Sequence, residues 1–109
     1  MVVYNCINDE DFLLKSDKGI GKRQILYFYL ESSPTCVQIK PLFDELCKKY
    51  EKTALVYTYQ YYNDDQLAVE AYEVQDVPTF IVMENGEEKH RHIGADEDKM
   101  REIFDKYAS

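Results

Sequence analysis

The chain has 109 residues, 45% of them hydrophobic and 31% charged, which is the size and composition of one globular domain covering residues 1–109. Its net charge of −8 disfavours a nucleic-acid or anionic-membrane surface, since both favour patches of Lys and Arg. No apolar stretch approaches the ~20 residues of a membrane span, and the acidic N-terminal segment is not typical of a signal peptide. Three cysteines cannot all pair within one chain, so we expect a reducing compartment and a cytoplasmic protein.

The N-terminal third alternates strand and helix signals. Residues 2–4 predict a short strand, and residues 8–15 predict a helix that Asn8 caps, with three acids in its first turn. A loop with two glycines follows at 17–22. The continuous apolar run at 25–30 is typical of a central strand that is buried on both faces.

The second predicted helix runs from Ser33 to about Tyr50. Ser33 is a favourable N-cap and Pro34 a favourable first helical residue. Cys36 then lies in the first turn, where its N–H can bond to the Ser33 oxygen and where the helix dipole stabilises a thiolate. Pro41 lies inside the helix and is expected to kink it. The apolar stripe consists of Ile39, Leu42, Phe43, Leu46 and Tyr50.

Strand and helix signals continue to the C-terminal half. Residues 54–59 predict a strand, and the Asn-Asp-Asp run at 63–65 can cap a short helix. The apolar face of that helix is predicted at Leu67, Ala68, Ala71 and Tyr72. Further strands at 79–83 and 88–93 flank 84–86, whose Glu-Asn-Gly sequence is a strong hairpin signal.

The last helix is predicted from about Asp96. Its apolar residues recur at helical spacing: Met100, Ile103, Phe104 and Tyr107. The predicted order is therefore β-α-β-α-β-α-β-β-α. Strands alternating with helices imply parallel crossovers, and the late hairpin adds an antiparallel pair. The predicted fold class is α/β, a central mixed β-sheet flanked by helices on both faces.

These features resemble the thioredoxin family over essentially the whole chain. The family carries a Cys-x-x-Cys motif with a proline five residues after the second cysteine and a phenylalanine five before the first, and Pro41 and Phe28 fit those spacings. Cys36 therefore resembles the second, resolving cysteine, and Ser33 occupies the position of the attacking one. Pro78 resembles the cis-proline that faces the motif in the family. The resemblance thus implies a thioredoxin fold and a redox-derived site.

The chain departs from the family pattern at three places around this site. The tryptophan that usually precedes the motif is Ser32, and the Gly-Pro between the cysteines is Pro34-Thr35. The buried acid that assists proton transfer is replaced by Tyr27. The substrate-binding residues that the resemblance implies are Ser32, Pro34, Thr35, Val77, Pro78 and Gly94. It implies no cofactor and no metal; the partners would be disulfide-containing proteins and, for a redox-active chain, a thioredoxin-type reductase.

Three functions fit Ser33 and Cys36, because a serine hydroxyl cannot form the mixed disulfide that disulfide reduction requires. The first is a thiol–disulfide oxidoreductase, or protein-disulfide reductase, whose attacking cysteine is replaced by Ser33, as in an engineered variant of a Cys-Pro-Thr-Cys thioredoxin. The second is a natural redox-inactive module that binds peptides or partners. The third is a monothiol that acts through Cys36 alone. Without the resemblance, Cys36 would be read as a small buried hydrophobe.

Other candidate residues carry weaker signals. Cys47 is predicted to lie in the core, and Cys6 receives no role. His90 and His92 alternate on a predicted strand, where a solvated edge is favoured over a metal site because no third ligand has suitable spacing. The Tyr61-Tyr62 pair is a candidate for an exposed partner surface.

Overall fold

The computed structural model describes residues 3–6, 23–53, 55–62, 66–85 and 87–108. The strands are β1 (Val3–Cys6), β2 (Arg23–Tyr29), β3 (Val56–Gln60), β4 (Thr79–Glu84) and β5 (Glu87–Ile93). The helices are α1 (Pro34–Lys49), α2 (Leu67–Ala71) and α3 (Glu97–Tyr107). The helix predicted at 8–15 and the loop at 17–22 lie outside the described residues.

The five strands form one mixed sheet in the order β1-β3-β2-β4-β5. β1 and β2 both pair with β3 in parallel, whereas β4 is antiparallel to β2 and to β5. In the central strand, Tyr27 lies opposite Thr58 on one side and Phe80 on the other. The predicted α/β class and mixed sheet are confirmed.

Alternate residues of β2 face two separate cores, as the period of a strand requires. Ile25 and Tyr27 belong to the core that α1 and α3 cover, and Leu26 and Phe28 belong to the core on the opposite face. The first core takes these buried helical residues: Ile39, Leu42, Phe43, Leu46, Cys47, Met100, Ile103 and Phe104. Both faces of the sheet are therefore covered, as predicted.

Helix α1 begins as predicted, with Ser33 as N-cap and Pro34 as its first residue. The predicted capping bond from the Ser33 side chain is wrong, because this side chain makes no cap hydrogen bond. Its hydroxyl pairs instead with the hydroxyl of Thr35, 3.0 Å away, so a neighbouring side chain outcompetes the backbone donor. Cys36 follows in the first turn, and the helix runs unbroken through Pro41.

The apolar face predicted for α2 is partly wrong. The helix spans only Leu67–Ala71, where Val69 is buried and Ala71 is exposed. Five residues make little more than one turn, so few positions can face the sheet. Tyr72 packs against the core as predicted, with its ring 5.9 Å from the ring of Phe28.

The C-terminal hairpin and helix follow the sequence signals. Asn85 has the positive φ of 54° that a tight turn requires, and β5 is an edge strand of the sheet. His90 on that edge is exposed and stacks on Tyr107 at 5.8 Å. Asp96 caps α3 by accepting a 3.2 Å hydrogen bond from the Lys99 N–H.

Candidate functional site

The candidate site lies where the chain leaves β2 and enters α1. Between these two elements the chain turns through Glu31 and Ser32, which are both exposed. The N–H of Ser33 closes the turn by donating to the Leu30 carbonyl at 3.0 Å. This turn brings the first turn of α1 back over the end of the sheet.

The two motif positions, Ser33 and Cys36, have different environments. Ser33 is half-buried at the helix start, and the next two residues, Pro34 and Thr35, are exposed. Cys36 is buried, with 3% of its surface exposed. The backbone N–H of Leu30 donates to the Cys36 Sγ at 3.5 Å. The outer position is therefore the accessible one, and the inner position is held against the sheet.

Tyr27 lies beneath Cys36, in the interior of the first core. It is 4% exposed, and its ring packs against those of Phe43 and Phe80 at centroid distances of 4.3 and 4.6 Å. Burial raises the pKa of the Tyr27 phenol far above its usual value, and the neighbouring Cys36 adds to this effect. The phenol is therefore protonated across the physiological pH range.

The start of β4 completes the site. The Val77–Pro78 peptide bond is cis, as the resemblance implied. The Thr35 hydroxyl donates to the Val77 carbonyl at 3.4 Å, and the Gly94 N–H donates to the Pro78 carbonyl at 2.9 Å. These contacts bring together four of the predicted substrate-binding residues, which come from three separate parts of the chain.

Gly94 has a backbone conformation that few other residues adopt. Its φ is +114°, and a Cβ placed on it would meet no atom within 4 Å. Glycine is therefore needed at this position for its backbone freedom and not for lack of space. The turn it makes carries the chain from β5 past Pro78 to α3.

Two exposed apolar side chains near the site were not predicted. Val37 follows Cys36 in α1 and is 58% exposed, and Ile93 ends β5 beside Gly94 and is 49% exposed. Ile93 pairs with Thr79, the residue after Pro78. The sequence does not reveal their exposure, because an apolar residue within a helix or strand is ordinarily expected to face the core.

The Tyr61-Tyr62 pair lies at the same end of the sheet. The Tyr61 N–H donates to the Tyr29 carbonyl at 2.7 Å, and Tyr62 is 64% exposed. The Gln66 side chain accepts from the Tyr62 N–H and donates to the Gln60 carbonyl at 3.0 Å. The two hydrogen bonds of the Gln66 side chain therefore hold the exposed Tyr62 at the end of β3.

The remaining candidates lie apart from this site. Burial, and after it the charge of Asp44, raises the pKa of the Cys47 thiol to about 12, as expected for a core residue. The Cys6 side chain lies outside what the structure describes. Over the described residues, no group of three His, Cys, Asp or Glu side chains could hold a metal ion. Within the same part of the chain, no helix is long and apolar enough to cross a membrane.

Comparison with known proteins identifies related chains. The family model described as Thioredoxin matches residues 5–106. Thioredoxin-T of Drosophila melanogaster is 27% identical over 100 residues, which are 92% of this chain and 60% of that relative. A thioredoxin of Staphylococcus aureus is 28% identical over 102 residues, 93% of this chain and 94% of the relative. The crystal structure of Schistosoma mansoni thioredoxin superposes with a TM-score of 0.80 at 25% identity, covering 97% of this chain and 95% of that one.

Proposed function

The chain belongs to the thioredoxin family, and on that premise we propose that its site is a thiol–disulfide oxidoreductase site with Ser33 at the attacking position and Cys36 at the resolving position. The observation that carries the proposal is the difference in burial between the two positions. Position 33 opens to the surface, whereas Cys36 is 3% exposed within the first turn of α1. An attacking group must reach a substrate sulfur, and a resolving group need reach only its neighbour.

The full reaction requires a cysteine at position 33. Its thiolate attacks one sulfur of a substrate disulfide, so that a mixed disulfide forms and the other substrate sulfur leaves as a thiolate. The Cys36 thiolate then attacks the sulfur at position 33 and releases the second substrate thiolate. Two electrons pass to the substrate, and a disulfide between positions 33 and 36 remains for a thioredoxin-type reductase to reduce.

With Ser33 in place, the chain retains the groove but lacks the first step. Extended segments of disulfide-containing proteins would lie beside Pro78 and pair with the local backbone, a form of strand addition. Val37 and Ile93 supply apolar contacts at the two sides of this groove. Because Cys36 is buried, a monothiol reaction at its sulfur is disfavoured. The two cysteines whose side chains the structure describes, Cys36 and Cys47, are both free thiols, and we place the protein in the cytoplasm on that ground.

A second candidate function is a redox-inactive module that binds partners through the same groove. The observation that favours it is the buried phenol of Tyr27 at the position where the family carries an acid, because the raised pKa of Tyr27 prevents this group from acting as a base. On this alternative, a cysteine introduced at position 33 does not create a reductase.

A disulfide-reduction assay separates the two functions. Insulin precipitation with dithiothreitol is measured for the chain as it stands, for Ser33→Cys, and for Ser33→Cys with Cys47→Ser as a control at a buried, remote thiol. We expect turnover only in the two chains with cysteine at position 33. Adding Cys36→Ser to Ser33→Cys should instead trap the mixed disulfide.

Two results would contradict the proposal. Equal reduction by the parent chain and by Ser33→Cys would mean that another thiol is the nucleophile. No reduction by either chain, with both folded, would favour the partner-binding module.

A further inference from the structure

The side chains of Ser33 and Thr35 form a line of hydrogen bonds that ends on the backbone of Val77. Their two hydroxyl oxygens are 3.0 Å apart, and the Thr35 oxygen lies 3.4 Å from the Val77 carbonyl oxygen. Ser33 is the N-cap of α1, and Val77 contributes the carbonyl of the cis peptide bond to Pro78. These bonds therefore connect the motif position 33 with the segment before β4.

The direction of each bond follows from the number of protons. A carbonyl oxygen only accepts, so the single hydroxyl proton of Thr35 points toward Val77. Thr35 has no second proton to give, and its oxygen must accept the hydroxyl proton of Ser33. Ser33 therefore acts as a donor within the site, and this keeps the Thr35 proton on the Val77 carbonyl.

The Val77 carbonyl is one of the groups that strand addition beside Pro78 would use. A bound extended segment would donate a backbone N–H to it. Thr35 is exposed and Val77 is half-buried, so both groups lie where a partner can reach them. A partner N–H must then displace the Thr35 hydroxyl or share the oxygen with it, which weakens binding.

We propose that Thr35 controls access to the Val77 carbonyl and that the group at position 33 sets this control. The proposal rests on the proposed function for the location of the groove. A donor such as Ser33 leaves the Thr35 proton on Val77. A group that only accepts and carries negative charge, such as a carboxylate or a cysteine thiolate, attracts that proton more strongly than a neutral carbonyl does. The hydroxyl of Thr35 then turns toward position 33, and the Val77 carbonyl becomes free for a partner.

The Val77 carbonyl can be observed by itself in the whole chain. The sequence contains three prolines, and only Pro78 follows a valine. Protein labelled with ¹³C at valine carbonyls and with ¹⁵N at proline therefore gives one carbonyl signal that is split by a directly bonded nitrogen. The chemical shift of this signal moves upfield when the carbonyl loses a hydrogen bond.

Three variants test the competition for the Thr35 proton. Thr35→Val retains the shape of the side chain without the hydroxyl, so the Val77 signal should move upfield. Ser33→Asp should move it in the same direction, because two carboxylate oxygens can accept from Thr35 and from the helix N–H groups together. Ser33→Ala offers no acceptor and should leave the signal near that of the parent. Combining Ser33→Asp with Thr35→Val should add no further upfield movement to that of Thr35→Val.

Peptide binding measures the consequence for the groove. The probe is an extended peptide with one S-methylated cysteine, and we expect Thr35→Val to bind it about fivefold more tightly, the factor for loss of one competing neutral hydrogen bond. Thr35→Ser restores a hydroxyl and should return the affinity toward that of the parent. Thr53→Val is the matched control, because the Thr53 hydroxyl donates to the Tyr50 carbonyl at the same distance of 3.4 Å and is also exposed. It should change neither the Val77 signal nor the affinity.

Two results would overturn this role of Thr35. One is a Val77 signal that does not move in Thr35→Val or in Ser33→Asp. The other is a peptide affinity in Thr35→Val that is equal to or weaker than that of the parent.

The same variants separate this role from the proposed function. If Ser33→Cys reduces no disulfide while Thr35→Val and Ser33→Asp act as expected, the oxidoreductase proposal fails and the role of Thr35 stands. If Ser33→Cys reduces disulfides and Thr35→Val leaves both the Val77 signal and the affinity unchanged, the role of Thr35 alone fails.

Discussion

Both backbone polar groups of Val77 are bonded to side chains of the chain itself. The Asp76 carboxylate accepts from the Val77 N–H at 2.8 Å, and the Thr35 hydroxyl donates to the Val77 carbonyl at 3.4 Å. Strand addition beside Pro78 needs these groups, so a bound segment must displace at least one of them. The proposed groove is therefore partly occupied by side chains of the protein itself.

We expect Asp76→Ala to bind an extended peptide about fivefold more tightly, because one hydrogen bond worth about 1 kcal/mol no longer competes. A peptide with one S-methylated cysteine is titrated into ¹⁵N-labelled protein, and the amide signals of Val77, Thr79 and Gly94 should shift first. Asp44→Ala removes the same charge from an exposed position on α1 and should leave the affinity unchanged. Shifts confined to Tyr107 would mean that partners bind another surface.

At the scale of elements, α2 is too short to hold itself in place. A five-residue helix leaves most of its carbonyls without helical partners. Arg91 of β5 donates to two carbonyls just after this helix, those of Tyr72 at 2.6 Å and Glu73 at 3.4 Å. Glu88 orients the guanidinium through bonds of 2.8 and 3.0 Å. One arginine thus connects the edge strand to the segment that leads to Pro78.

We expect Arg91→Lys to lower the free energy of unfolding by about 1–2 kcal/mol, since an ammonium group cannot bond the carbonyls and the carboxylate together. Lys89→Met on the same strand removes an exposed ion pair with Glu87 and should change stability little. Chemical denaturation measures both variants. Equal effects would show that Arg91 contributes only as a surface charge.

The interaction between Arg91 and Glu88 predicts that the free energy of unfolding depends on pH. The hydrogen bond from Arg91 holds the pKa of Glu88 below its usual value, against a smaller opposing effect of burial. A lowered folded-state pKa contributes stability above the unfolded pKa, and that contribution disappears as pH falls through the folded value. The advantage of the parent over Arg91→Lys should therefore shrink below about pH 4, near the ordinary pKa of glutamate, to the part that the two carbonyl bonds supply. An advantage of the same size at neutral pH and in strong acid would exclude Glu88 from the interaction.

The sequence predicted the elements better than it predicted the contacts between them. Asp96 and Asn85 act through local backbone chemistry, so their roles can be read from neighbouring residues. The alternation of β2 places Tyr27 on the face of α1 but does not show that its ring packs against Phe43 at 4.3 Å, because that depends on how the helix lies over the sheet. The buried residue of α2 was missed because a single turn carries too little periodicity to define a face.

At the scale of the whole molecule, β2 contributes to both cores, so neither face of the sheet can be lost independently. Its Ile25 and Tyr27 face α1 and α3, while Leu26 and Phe28 face Val69 and its neighbours. Loss of either core exposes one side of β2. The strands paired with it, β3 and β4, then lose the packing that holds them against that core. We therefore propose that the chain unfolds as one cooperative domain.

Two core truncations on opposite faces test this cooperativity. Phe104→Ala removes a side chain from the first core and should cost about 3–5 kcal/mol, and Val69→Ala should cost about 2 kcal/mol in the second. In each variant, the far-ultraviolet transition and the near-ultraviolet transition of the ten tyrosines should coincide. Leu46→Met, a substitution of similar volume in the first core, controls for small packing changes and should cost less than about 1.5 kcal/mol. Separated transitions in Val69→Ala alone would mean that the α2 face unfolds first and that the Pro78 segment unfolds before the rest of the candidate site.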